Sequence, residues 1–144
     1  MSTAWRLCRA PHADLAGEGA RRYGGRWNSL GRPLVYLADH PALAVLEVRV
    51  HLDLPLDLLP DDYVLLEVAL PDAGIRELAT VPDDPRRAGD EWIGMGGAAV
   101  LRVPSFVVPA ASNLLLNPAH PAAASARVLR RIAYAFDPRL WLGS

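Results

Sequence analysis

Pro33-Leu34-Val35-Tyr36-Leu37-Ala38-Asp39-His40-Pro41-Ala42-Leu43-Ala44-Val45-Leu46-Glu47-Val48 changes character in its middle, and that change decides the architecture. Leu34 to Ala38 is a compact apolar run between Pro33 and Asp39, the pattern of a buried strand. Asp39-His40-Pro41 then reads as a helix start, because Pro suits a first turn and Asp is a good cap. Ala42 to Leu52 is open to two readings. Leu46, Val48, Val50 and Leu52 alternate with Glu47, Arg49 and His51 as in a half-buried strand, whereas the start signal and the Ala-Leu-Ala opening favour a helix. The expectation is a helix, and Glu47 shares a face with His51 on either reading.

Working outward, Trp5 to Arg9 predicts a short opening strand, and Ala16 to Gly31, rich in Gly and Arg, predicts a long functional loop. Tyr63 to Leu70 alternates as a strand ended by Pro71, and Asp83 to Gly94 carries a helix through Trp92. Ala98 to Val103 and Phe106 to Val108 are strand-like, with Pro104 and Pro109 restricting their ends. Ser112 to Pro121 reads as a polar-punctuated loop around Leu114-Leu115-Leu116, and Val128 to Phe136 as a final strand or helix. Many short strands with few helices predict a mixed α+β fold in a single domain over residues 1–144.

Composition narrows the function classes. The chain is 51% hydrophobic, enough for a core, and no apolar run approaches the roughly 20 residues of a membrane span. Met1-Ser2-Thr3-Ala4-Trp5-Arg6 lacks the charged-then-apolar layout of a signal peptide, so the expected location is cytoplasmic, with no membrane partner. A formal net charge of −1 with no basic stripe disfavours direct nucleic-acid binding. Cys8 is alone, which excludes an internal disulfide. His12, His40, His51 and His120 show no zinc-site spacing, so no metal is expected. Neither a Walker A sequence nor a Gly-x-Gly-x-x-Gly fingerprint is present, and Ser105 lacks the Gly-x-Ser-x-Gly elbow of a hydrolase nucleophile.

Gly24-Gly25-Arg26-Trp27-Asn28 is the most distinctive local sequence. Paired glycines allow a backbone to approach a ligand closely or to adopt positive φ, and the Arg behind them offers a planar fork for phosphate. Trp27 either stacks on a ring or anchors the loop in the core. Glu47, inside an apolar run, either faces solvent or sits in a cleft where a carboxylate stabilises developing positive charge. Tyr36 is either a core aromatic with a satisfied hydroxyl or a substrate platform.

Taken together, Gly24-Gly25-Arg26-Trp27-Asn28, Val35-Tyr36 and Ala42-Leu43-Ala44-Val45-Leu46-Glu47 resemble the opening of the RES domain. Gly89-Asp90-Glu91-Trp92, Val103-Pro104-Ser105, Asn113-Leu114-Leu115-Leu116-Asn117-Pro118-Ala119-His120-Pro121 and Phe136-Asp137-Pro138-Arg139-Leu140 match its second half. Arg26, Glu47 and Ser105 are the natural assignments for the residues that name the family. Ala111 departs from it, since many relatives carry a carboxylate there.

The resemblance implies a toxin of a type II toxin–antitoxin pair, with an Xre- or ParS-like antitoxin and a homodimeric toxin core inside the complex. It implies a split, strand-rich fold similar to ADP-ribosyltransferase toxins, and a cleft for NAD⁺ as substrate rather than cofactor. Family members hydrolyse NAD⁺, phosphorolyse it, or move ADP-ribose onto a protein such as phosphoribosyl pyrophosphate synthetase; an inactive, antitoxin-binding relative is the other reading. On this resemblance Glu47 stabilises the oxocarbenium-like ribose, Arg26 grips the pyrophosphate and Tyr36 packs against the nicotinamide end. Ser105 hydrogen-bonds the nicotinamide side and His51 orients the ribose or the acceptor. Trp27 and Asn117 complete the expected NAD⁺-binding set, with Arg6 as the fallback for the pyrophosphate.

Overall fold

A computed structural model describes residues 2–72 and 74–142. Its centre is one seven-stranded sheet in the order β4-β5-β6-β2-β1-β3-β7. The strands are β1 (Thr3–Arg9), β2 (Val35–Ala38), β3 (Tyr63–Ala69), β4 (Ile75–Glu77), β5 (Val100–Pro104), β6 (Ser112–Leu116) and β7 (Arg127–Ala133). Neighbours are antiparallel except β4 and β5, which run parallel. The helices are α1 (Glu18–Tyr23), α2 (Pro41–Arg49) and α3 (Pro85–Met95). This is the expected α+β arrangement, and none of its helices is long and apolar enough to cross a membrane.

Strand alternation sorts the core into two faces. Ala4, Val35, Leu37, Val64, Leu66, Val68, Leu114 and Leu116 form one continuous cluster, covered by Ala10, Ala13, Leu15 and the Ala122–Ala126 turn. The other face is divided. Leu7, Ala38, Tyr63 and Leu65 pack with Leu43 and Ala44 of α2, while Leu34, Leu101, Val103 and Leu115 pack with Trp27 and Trp92. An open strip of sheet lies between these two clusters, and the site is built on it.

Several local readings differ from the structure for identifiable reasons. The 16–31 segment contains α1, a short helix whose Glu18 pairs with Arg21 and Arg22 one turn on. His40, not Asp39, caps α2: its Nδ1 accepts from the Ala42 N–H at 3.0 Å, while Asp39 accepts from the Ser112 N–H at 3.0 Å. Phe106 to Val108 is a turn, because the Ser105 hydroxyl captures the Val107 and Val108 N–H groups that a ladder would need. Ser112 to Leu116 is the strand β6 rather than a loop, since pairing with β2 and β5 buries Leu114, Leu115 and Leu116 on both faces. The ambiguous 128–136 stretch resolves over 128–133 as part of the edge strand β7, and residues 134–136 lie beyond it.

Candidate active site

A cleft of about 1510 Å³ opens over the bare strip of sheet. Its floor is Trp5 and Leu7 of β1, Tyr36 and Ala38 of β2, and Asn113 of β6. One wall is the α2 stripe Ala44, Glu47, Val48 and His51; the other is the α3 stripe Arg87, Asp90, Glu91 and Gly94. Each stripe repeats at i, i+3, i+4 and i+7, so each is one face of its helix or its direct extension. α2 itself ends at Arg49, and His51 continues that face in the following turn, exposed at the rim.

The Gly24–Arg32 segment closes one end of the cleft and owes its shape to a few polar bonds. Gly24 adopts φ 70°, and Gly25 lies so close to its neighbours that an added Cβ would sit 2.4 Å from the Tyr36 hydroxyl. The positive φ foreseen for paired glycines is realised at Gly24, and the close approach at Gly25 is to the Tyr36 and Asn28 side chains. Asn28 is 0% exposed. Its Nδ2 donates to the carbonyls of Ala20 at 2.8 Å and Arg32 at 3.0 Å, and its Oδ1 accepts from the Tyr36 hydroxyl at 2.6 Å. That hydroxyl in turn accepts from the Trp27 N–H at 3.0 Å. Burial pushes the Tyr36 phenol up to about 12, so it remains a donor throughout the physiological range. The Tyr36 ring lines the cleft while its hydroxyl holds the loop.

α3 grips the same segment from the opposite side. Asp90 accepts from the Ser29 N–H at 3.0 Å and also from the Ser29 hydroxyl. Gly89 permits this approach, because a Cβ there would fall 1.8 Å from the Trp27 carbonyl oxygen. Trp27, 2% exposed, anchors the loop in the core between α3 and the sheet. Of its two readings, the anchor is the one this burial favours.

Arg26 projects into the cleft with its guanidinium carbon 3.7 Å from the centre of the Phe106 ring, a cation–π contact. Next to Phe106, the Ser105 hydroxyl donates to Glu47 Oε1 at 3.0 Å while accepting from the Val107 and Val108 N–H groups. The dipeptide Ser105-Phe106 thus touches both Glu47 and Arg26, which lie on different elements. Glu47, Arg26, Tyr36, Trp27 and His51 all line the cleft.

Ser105 and Asn117 are not among the residues lining it. The Ser105 oxygen is engaged by Glu47 and two backbone N–H groups, an arrangement that fixes the direction of the carboxylate. Asn117 is buried just past the end of β6, where its Oδ1 accepts from the Ala119 N–H at 3.1 Å and shapes a turn. Asn113, one strand length earlier, is the residue of that motif on the cleft floor. Arg6, the alternative phosphate ligand, also lines the cleft, and its guanidinium donates to the His12 carbonyl at 2.7 Å and the Asp14 carbonyl at 2.6 Å. Sequence reasoning missed Arg86, Asp90 and Phe106; only Asp90 fell inside a quoted motif.

The RES domain family model matches residues 3–137. The chain is 39% identical over 132 residues to "Toxin Res" of Pseudomonas putida, covering 86% of this chain and 90% of that protein. It is 39% identical over 141 residues to the "Prs ADP-ribosylating toxin" of a Sphingobium species, covering 88% and 86% respectively. It is 33% identical over 136 residues to "NAD(+) phosphorylase MbcT" of Mycobacterium tuberculosis, covering 78% and 69%. The crystal structure of the M. tuberculosis MbcT–MbcA toxin–antitoxin complex shares the fold, with a TM-score of 0.71 at 22% identity over 96% of this chain and 86% of that one. On the family match and these identities, the chain belongs to the RES domain family.

Proposed function

We propose that this chain is the toxin of a toxin–antitoxin pair and that it cleaves the nicotinamide–ribose bond of NAD⁺. The observation that carries this reading is the Ser105-Phe106 bridge, which sets a carboxylate and a guanidinium in one cleft: Glu47 on α2 and Arg26 on the Gly-Gly loop. Names of the relatives support it, two of them specifying chemistry on NAD⁺ or ADP-ribose. NAD⁺ enters as substrate, and the proposed chemistry uses no further cofactor.

When the glycosidic C–N bond breaks, its electron pair leaves with the nicotinamide, and positive charge develops on the ribose. A carboxylate held beside that carbon lowers the barrier by electrostatics. Glu47 supplies it, with its orientation fixed by the Ser105 hydroxyl. Arg26 binds phosphate oxygens through its fork, and the Tyr36 ring gives the nicotinamide end an apolar floor. The acceptor is water, phosphate or a protein side chain, each adding to the ribose carbon that nicotinamide leaves. The relatives named for phosphorolysis and for ADP-ribosylation favour the last two.

The decisive measurement is nicotinamide release from NAD⁺ by the purified chain, with and without phosphate. Glu47→Gln is expected to lower turnover by about 10²–10³, the scale for losing one electrostatic stabiliser. Wild-type turnover in this variant would defeat the mechanism. An unaltered chain that releases no nicotinamide would favour the inactive, antitoxin-binding reading.

A further inference from the structure

We infer that Arg86 is the second half of a diphosphate-binding clamp whose first half is Arg26. This deepens the NAD⁺ reading above and rests on it, because it assigns the group that receives the dinucleotide's charged centre. Neither residue type nor spacing singled out Arg86 in the sequence; the fold brings it to the Gly-Gly loop.

The arginines around the cleft are not equivalent. Arg32 pairs with Asp90 at 3.8 Å, and Arg87 with Glu91 at 3.2 Å. Arg6 is bound to two backbone carbonyls. Among the described residues, Arg6, Arg26 and Arg86 line the cleft without a carboxylate partner, and of these Arg6 is committed to its two carbonyls while Arg26 and Arg86 meet at the Gly25–Arg26 link. Arg86, the second residue of α3, donates from Nε to the Gly25 carbonyl at 3.2 Å, immediately before Arg26 in the chain. That single bond orients its fork without neutralising its charge.

The two cations are therefore tied to adjacent links of one loop, and both are exposed to the cleft. Burial raises the Tyr36 phenol, and Arg86 and Arg26 each act against that rise, so both charges lie within electrostatic reach of one hydroxyl. Two guanidinium groups without carboxylate partners, one on Arg26 and the other bonded to the carbonyl of the residue before it, match a ligand with two linked negative charges. A planar fork binds phosphate oxygens in pairs, which an ammonium does not reproduce. A single phosphate needs only one of them; a diphosphate uses both.

Calorimetric titration with inorganic pyrophosphate and, separately, inorganic phosphate tests the clamp without requiring turnover. The unaltered chain is expected to bind pyrophosphate more tightly. Arg86→Gln and Arg26→Gln should each lower pyrophosphate affinity by about 10–100-fold while changing phosphate affinity by less than about three-fold, the range for charge-assisted bonds. Arg86→Lys should recover only part of the loss. The proposal is overturned if the unaltered chain does not prefer pyrophosphate, or if Arg86→Gln leaves pyrophosphate affinity unchanged. It is also overturned if both anions weaken by one common factor, which would make Arg86 a support for the Gly25 loop and nothing more. Nicotinamide release from NAD⁺ by the unaltered chain judges the enzymatic reading independently, so the two can fail separately.

Discussion

Removing a single oxygen from Tyr36 tests whether the Gly24–Arg32 loop is held as described. Tyr36→Phe keeps the ring on the cleft floor but deletes the donor to Asn28 Oδ1 at 2.6 Å and the acceptor for the Trp27 N–H at 3.0 Å. Asn28 and Trp27 are both buried, so each lost partner costs about 1–3 kcal/mol of desolvation that is no longer repaid. Partial relaxation of the loop brings the sum to about 2–4 kcal/mol, a large share of a typical domain's 5–15 kcal/mol but short of unfolding it. At roughly 2–4 °C per kcal/mol for a domain approaching this size, Tm should fall by about 4–16 °C.

The pH dependence has a defined sign. The folded-state pKa of about 12 lies above the ordinary 10, so the native state holds the proton more tightly. The stability gained this way is complete below pH 10 and disappears as pH rises through 12. The gap between unaltered chain and variant should accordingly narrow across that window. Thermal melts over the pH series, together with hydrogen exchange at the Trp27 amide, measure both effects. A Tm change below about 3 °C with full Trp27 protection would refute the loop-anchor role.

Three further outcomes follow from the site. Ser105→Ala should lower kcat about ten-fold with little change in KM, because Glu47 loses its orienting donor, and Ser105→Thr should restore most of the rate by returning the hydroxyl; steady-state kinetics on both variants decides it, and equal rates in Ser105→Ala would remove the positioning role. Arg26→Ala should weaken NAD⁺ binding about 10–100-fold and Arg26→Lys should rescue it only partly, measured by titration in a Glu47→Gln background. A cognate antitoxin is expected to place a carboxylate near Arg26, so it should compete with NAD⁺, each lowering the other's apparent affinity by one common factor; undiminished NAD⁺ binding in the saturated complex would show that inhibition acts elsewhere.

Local signals made half of this molecule legible. Leu34–Ala38 and the Pro41 helix start read correctly because burial and capping there are decided within a few residues. β6 did not: Leu114-Leu115-Leu116 between two asparagines looks like a loop until β2 and β5 supply partners on both sides. Asn117 shapes a turn through its side chain, a role that its sequence context does not distinguish from ligand binding. Arg26, Tyr36 and Glu47 were recoverable from motif order, and the cleft does collect them. What no motif could show is how they are held. The Glu47–Ser105 bond spans 58 residues, and the bonds from α3 to the loop span 61. These are consequences of packing, invisible to periodicity.

The two halves of the site hang from opposite sides of a divided sheet face, so their relation depends on whatever spans the division. Arg26 belongs to a loop fastened to β2 and α3, and Glu47 to a helix packed on β1 and β2. The Ser105–Ala111 turn is the span, touching Glu47 through Ser105 and Arg26 through Phe106. It carries the only positive-φ residue other than glycine among the described residues, Ala110 at φ 69°. A Pro-led turn closed by the Ala111 N–H on the Val108 carbonyl at 3.3 Å ordinarily has glycine in that place. An alanine there costs about 1–2 kcal/mol and persists only if its surroundings fix it. Those surroundings are present: Pro109 restricts the entry, the Ser105 hydroxyl holds two N–H groups, and the Ser105 N–H returns to the Ala111 carbonyl at 2.9 Å. Local strain and the contacts to the carboxylate and the guanidinium are thus located in the same seven residues, so the relative placement of Glu47 and Arg26 depends on this turn.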